Sequence, residues 1–165
     1  MKPFMLILMM LCLTGCFDST RLNTGLEGKP IPSFDLLLPD STTHFNTSTI
    51  PEGKPFVLFY FAPSCPFCKA QMEDIIAKIK TLRDIQIYIL TPAPHREAKA
   101  FFTHFNIFKY PNLTAGEDYS QFLLRYFNAP GVPLLFVYDK KKLLTQVFCG
   151  KTPVDIIKKA AFRGA

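Results

Sequence analysis

Two cysteines three positions apart, in the run Cys65-Pro66-Phe67-Cys68, carry the clearest chemistry in this sequence. A pair at that spacing can close and reopen a disulfide, and a thiolate of the pair can attack a disulfide elsewhere. A structural zinc site would need about four ligands, usually with a second short-spaced pair. Cys149, His44, His95 and His104 stand singly, so the ligand count argues against a metal. An inert staple would gain little, because so short a loop removes little entropy from the unfolded chain.

The flanking residues say how the pair is held. Phe56-Val57-Leu58-Phe59-Tyr60-Phe61-Ala62 is apolar without alternation, the pattern of a strand buried on both faces, and Pro63-Ser64 breaks it. Beyond Pro66, Met72, Ile75, Ile76, Ile79 and Leu82 recur at three and four residues, which predicts a helix with one face on the sheet. Pro66 suits a first helical turn. Cys65 then lies at a helix N-terminus, where unpaired N–H groups favour a thiolate, and is the candidate nucleophile. Cys68, one turn further in, is the candidate resolving thiol: it would attack the mixed disulfide at Cys65 and release the partner reduced.

The N-terminus carries a second signal. Lys2 precedes the apolar run Phe4 to Leu13, short for a membrane span and followed by small residues, so residues 1–15 read as a signal peptide. Leu13-Thr14-Gly15-Cys16 resembles the bacterial lipobox, and that resemblance implies cleavage before Cys16 and lipidation of Cys16. An ordinary secretory signal or an uncleaved anchor is the alternative. Residues 16–30, polar and without periodicity, are expected to form a tether, and residues 31–165 a single domain large enough to bury a core. Cys12 leaves with the signal, so Cys149 is the odd thiol beside the pair. Closing the apolar stretch Leu143 to Phe148, it reads as a buried strand cysteine, with a third redox thiol as the alternative. An exported dithiol is either an oxidant or is kept reduced by a dedicated donor.

The formal charge is +6, with clusters at Lys140-Lys141-Lys142 and Lys158-Lys159. These fit a basic face near anionic headgroups, or equally a solvated turn and the cation-bearing end of a helix. Aromatic and basic residues are not interleaved in the manner of a nucleic-acid surface.

The remaining elements alternate. Ser33 to Leu38 and Thr42 to Ile50 read as a hairpin, and Pro51-Glu52-Gly53 turns into the central strand. Ile85 to Leu90 is a second β-branched strand, followed by a helix with Ala98, Phe101, Phe102 and Phe105 on one face. Strand, helix, strand, helix predicts parallel crossovers. A helix over Asp118 to Phe127, a hairpin from Leu134-Tyr138 to the strand holding Phe148 and Cys149, and a helix over Pro153 to Phe162 complete the chain.

From Pro32 to Ala161 this order, with the dithiol after a central strand and Gly131-Val132-Pro133 leading into a later one, resembles the thioredoxin-like fold. That implies an α/β domain: a central mixed sheet flanked by helices, with a short N-terminal β-hairpin. Within that superfamily the lipobox and the hairpin resemble the extracytoplasmic TlpA-like thiol-disulfide oxidoreductases, which include reductases of cytochrome c maturation. The resemblance makes Val132-Pro133 a cis peptide facing the dithiol, with the Val132 backbone as a substrate clamp. Without it, an ordinary trans proline at a strand entrance is the plain reading.

It further implies an enzyme acting on protein thiols and disulfides, with no metal or organic cofactor, and with reduction as the preferred direction, fed by an electron donor in the envelope. The bacterial cell envelope is the expected location, the chain held by lipid on Cys16 and facing the periplasm or the outer side of the inner membrane. A disulfide-forming oxidase, and a non-catalytic metal-binding or docking lipoprotein on the same scaffold, are the alternatives. Three departures from the family pattern stand out. Ser64 replaces the tryptophan that commonly precedes the first cysteine, and Phe59 replaces the buried acid of thioredoxins. Gln71 replaces a glutamate that could take the proton of the buried thiol, which leaves solvent, Glu73 or Asp74 for that task. Pro66-Phe67 also differs from thioredoxin's Gly-Pro, and with it the reduction potential is open.

Overall fold

The structure, a computed structural model, describes residues 20–163. The signal peptide expected over residues 1–15 and the expected lipidation site, Cys16, lie outside the described residues. Strands β1 (Thr20–Leu22), β2 (Asp35–Leu37), β3 (His44–Asn46), β4 (Phe56–Tyr60), β5 (Gln86–Thr91), β6 (Leu113–Glu117), β7 (Leu134–Tyr138) and β8 (Leu144–Cys149) form one sheet. Its order is β1-β8-β7-β4-β5-β6-β2-β3. β4, β5 and β6 run parallel, and β7 pairs antiparallel with both β4 and β8. The helices are α1 (Pro66–Ala77), α2 (His95–His104), α3 (Phe122–Tyr126) and α4 (Val154–Ala161). α1 and α2 supply the crossovers that parallel pairing requires.

Every residue of β4 is buried, which explains the absence of alternation in its sequence. Its side chains divide between two cores by the two-residue period of a strand. Val57 and Phe59, with Phe61 just beyond the strand, pack with Met72 and Ile75 of α1, Phe101 and Phe102 of α2 and Ile157 of α4. Phe56, Leu58 and Tyr60 pack on the other face with Phe34, Leu36, Leu123 and Phe136. Each such side chain contributes roughly 1.5–3 kcal/mol by leaving water. The hydrophobic Phe59, at the place of the family's buried acid, is therefore a core residue.

Several boundaries differ from the sequence-based expectations. Residues 20–30, expected as part of a tether, lie on the sheet. β1 pairs with β8, the Gly28 N–H donates to the Leu144 carbonyl (2.7 Å), and the Leu144 N–H donates to the Lys29 carbonyl (2.9 Å). This segment covers an edge of β8 that would otherwise stand open, and three residues are too few to show a period. The second strand of the hairpin stops at Asn46, whose side chain accepts from the Ser48 N–H (2.9 Å) and opens a 3-10 turn. α1 stops at Ala77, and a 3-10 turn over Ile79–Leu82 follows.

β6 has no counterpart among the expected strands, since Leu-Thr-Ala-Gly-Glu carries little strand signal. Pairing with β5 creates it, and Gly116 suits a close approach there: a Cβ would meet Leu90 Cδ2 at 3.3 Å, so that side chain would have to give way slightly. The helix expected from Asp118 begins at Phe122, because buried Asp118 instead accepts hydrogen bonds from the residues ahead of it and at its start. Its carboxylate takes the N–H groups of Phe122 (2.9 Å) and Leu123 (3.0 Å), and the hydroxyls of Ser120 (3.1 Å) and Tyr60 (3.2 Å).

Candidate active site

The chain leaves β4 through a tight turn in which the Cys65 N–H donates to the Ala62 carbonyl (3.0 Å). Cys65 is the N-cap of α1, in extended backbone conformation, and Pro66 opens the first turn. The Cys65 Sγ accepts the Cys68 N–H at 3.3 Å, so one of the orphan amides of the helix start is aimed at that sulfur. Cys65 is half-buried, Cys68 is buried, and both are free thiols. An accessible first sulfur with a second behind it, one helical turn away, is the arrangement a two-step exchange requires.

The structure brings Val132 and Pro133 to this place. The Val132-Pro133 peptide is cis, and the Cys65 S–H lies 3.9 Å from the Val132 carbonyl oxygen it points to. β7 starts immediately afterwards, with Leu134 opposite both Tyr60 of β4 and Cys149 of β8. The loop is held further by the Gly150 N–H, which donates to the Pro133 carbonyl at 2.9 Å. Cys149 ends β8 half-buried against the core on the other side of the sheet from the dithiol, and burial pushes its thiol up.

Burial pushes the Cys68 thiol well above its ordinary value, and the adjoining Cys65 sulfur pushes it the same way. The folded reduced protein therefore holds this proton when the unfolded chain has begun to release it. The corresponding stability is full below the ordinary thiol value of 9.0 and is lost as pH rises beyond it towards the folded value. Denaturant midpoints of the reduced protein at pH 8 and pH 10 should fall more than those of Cys68→Ala. The comparison matters because buried Tyr60, Tyr88 and Tyr138 are also raised and act with the same sign at slightly higher pH.

The residues considered for proton handling separate. Glu73 is exposed, and Asp74 is half-buried and paired with Lys151 at 2.9 Å. Gln71 is fully buried, and both ends of its amide are taken by the Thr152 backbone. Among the described residues no group of three or more His, Cys, Asp or Glu is placed to hold a metal ion.

A groove of about 590 Å³ lies beside Ser64, the residue before Cys65. Pro63, Ser64 and Lys69 line it from the dithiol side, and Glu97, Ala100, Phe101, His104 and Phe105 from α2. Ser64, exposed where the resemblance expects a tryptophan, leaves this flank open. The helical period identified Phe101 and Phe105 as core positions, and they form the apolar floor as well. The groove-lining role of Glu97, Ala100 and His104 had no signal in the sequence, because these are ordinary exposed helix residues until α2 is placed beside the dithiol.

A model of the AhpC/TSA family matches residues 28–147. The chain belongs to the AhpC/TSA family. That match covers β2 to β7 and the first part of β8, including the dithiol and the cis proline. Thiol:disulfide interchange protein DsbE of Yersinia pestis is 39% identical over 57 residues, 34% of this chain and 30% of that protein. Its counterpart in Escherichia coli K12 is 38% identical over 57 residues, 34% and 31% of the two chains. The aligned stretch thus spans under a third of these relatives.

Among solved structures, a secreted Mycobacterium tuberculosis disulfide oxidoreductase homologous to E. coli DsbE superposes with a TM-score of 0.63 at 20% identity. That superposition covers 78% of this chain and 94% of that one. A peroxiredoxin-like protein from Aquifex aeolicus gives 0.65 at 13% identity, covering 86% and 90%. At these identities the likeness is one of fold, and the AhpC/TSA chain has the thioredoxin-like fold: a mixed sheet flanked by helices.

Proposed function

We propose that this AhpC/TSA-family chain is an extracytoplasmic thiol-disulfide oxidoreductase that reduces disulfides in protein substrates through Cys65 and Cys68. The observation that carries the reading is the Cys65 sulfur: accessible, at a helix start, 3.3 Å from the Cys68 N–H and 3.9 Å from the Val132 carbonyl. Similarity to the DsbE proteins over 57 residues supports it. Cys65, as thiolate, attacks one sulfur of the substrate disulfide. A bond forms between them, the substrate bond breaks, and its electron pair leaves on the other substrate sulfur, which takes up a proton.

Cys68 then loses its proton and attacks the Cys65 sulfur. The Cys65–Cys68 disulfide forms, the mixed disulfide breaks, and the second substrate thiol departs. Two electrons have moved from the dithiol to the substrate, sulfur to sulfur, with no metal or organic cofactor. A dithiol donor in the envelope would return them. Because burial holds Cys68 as a neutral thiol, its deprotonation governs the second step, which speeds up as pH rises.

Titration in glutathione buffers, with alkylation and intact-mass readout, tests both chemistry and direction. Cys65 and Cys68 should switch together by two alkyl groups, with a midpoint more reducing than about −200 mV. A midpoint near about −120 mV, the range of strong oxidants, would reverse the direction. Failure of the pair to switch together would defeat the proposal.

Lipidation of Cys16 is the second part of the reading, supported by the run Leu13-Thr14-Gly15-Cys16. Among the described residues no helix is long and apolar enough to cross a membrane. Cys16→Ala is expected to move the protein from the membrane fraction to the soluble envelope fraction, and unchanged fractionation would defeat the anchor.

A further inference from the structure

Gln71 lies three positions after Cys68 on α1 and is fully buried, yet it reaches across to the loop between β8 and α4. Its Nε2 donates to the Thr152 carbonyl (3.1 Å), and its Oε1 accepts the Thr152 N–H (2.6 Å). From Thr152 the bonds continue towards the dithiol. The Thr152 hydroxyl donates to the Gly150 carbonyl (3.1 Å), and the Gly150 N–H donates to the Pro133 carbonyl (2.9 Å). The carbonyl of the preceding residue, Val132, is the one 3.9 Å from the Cys65 sulfur. The path is a closed circuit: dithiol helix, Gln71, Thr152, Gly150, Pro133, Val132 and back to the dithiol.

The residue type is specified by the circuit. Thr152 offers one donor and one acceptor, both buried, and an amide matches the two at once. A carboxylate would set an oxygen against the Thr152 carbonyl, and an apolar side chain would strand both buried groups without partners. The Lys151–Asp74 pair alongside is two-fifths exposed and adds little to the connection. The β7–β8 ladder already fixes Pro133 to β8. What Gln71 adds is a buried tie from β8 to the helix that carries both sulfurs.

We propose that Gln71 is a positioning residue for disulfide exchange: it sets the spacing between the Val132-Pro133 loop and Cys65, so that a substrate chain docked on Val132 presents its disulfide in line. The proposal rests on the exchange chemistry proposed above. It also accounts for the amide at a place where the family resemblance expects an acid, since an acid cannot make both bonds while ionised. Small disulfides do not extend along Val132, so they should sense this spacing less than peptides do. Displacement of reacting groups by about 1 Å can cost up to about a hundredfold in rate.

The test compares kcat/KM for a disulfide-bonded peptide with that for glutathione disulfide, in Gln71→Met and in Thr152→Ala. Gln71→Met keeps the volume and removes both bonds. Thr152→Ala keeps the Gln71 bonds and removes only the hydroxyl link to Gly150. The peptide-to-glutathione ratio should fall about tenfold in Gln71→Met, within the range a misplaced reactive group produces. It should fall about threefold in Thr152→Ala, the effect of one modest hydrogen bond. Equal losses on both substrates, or an unchanged ratio, would overturn the proposal. Should Gln71→Met fail to fold, the ratio in Thr152→Ala decides. A natural protein inert towards both substrates would defeat the exchange chemistry itself, and this proposal with it.

Discussion

Turnover of a protein disulfide is expected to vanish in Cys65→Ser, by at least about three orders of magnitude, the scale on which loss of a covalent nucleophile is felt. A serine hydroxyl at the same helix start is not ionised near neutral pH and does not exchange with sulfur. Cys68→Ser is expected to lose steady-state turnover as completely, but for another reason: Cys65 still attacks once, and the mixed disulfide then waits for an outside thiol. A single-turnover assay separates the two, with one equivalent of substrate thiol released by Cys68→Ser and none by Cys65→Ser. Cys149→Ser is the control. That cysteine packs against the core on the opposite side of the sheet, so its loss should leave both phases in place.

The second large effect is on stability. Asp118→Ala is expected to cost about 3–5 kcal/mol, because it strands the Phe122 and Leu123 amides and removes the partners of two hydroxyls, at roughly 1–3 kcal/mol for each buried group left unpaired. For a domain of this size that corresponds to a melting temperature lower by about 10 °C. Calorimetric melting checks it, and a shift of a degree or two would mean that Asp118 is not the acceptor that organises the connection between β6 and α3. The exchange chemistry of the folded fraction should persist, since Asp118 and Tyr60 belong to the side of the sheet away from the dithiol.

How much of this was legible follows from how far each feature reaches along the chain. The proposed nucleophile and its proposed resolving partner are neighbours in sequence, and the strand, the proline and the helical period around them are local signals. They could be read directly. Val132 lies 67 positions from Cys65, and only the resemblance to thioredoxin-like proteins linked the two. Gln71 and Thr152 are 81 positions apart, so the sequence showed a missing acid and not the backbone pair that an amide satisfies.

The same limit explains the elements that were missed. β1 and β6 are strands because neighbouring edges complete them, and neither Thr-Arg-Leu nor Leu-Thr-Ala-Gly-Glu can announce that alone. Asp118 stands at the head of the helix expected over Asp118 to Phe127. Its burial under Tyr60, 58 positions away, makes it an acceptor ahead of the helix instead. The groove beside Ser64 likewise exists only once α2 lies against the start of α1.

The central claim is that Cys65 takes the substrate and Cys68 releases it. The most direct test is to incubate Cys68→Ser with a disulfide-bonded peptide, quench with acid, and map the covalent adduct by mass spectrometry. The account predicts a stoichiometric adduct on Cys65, released by added thiol, with Cys149 unmodified. An adduct on Cys149, or none on Cys65 in a folded protein, would contradict it.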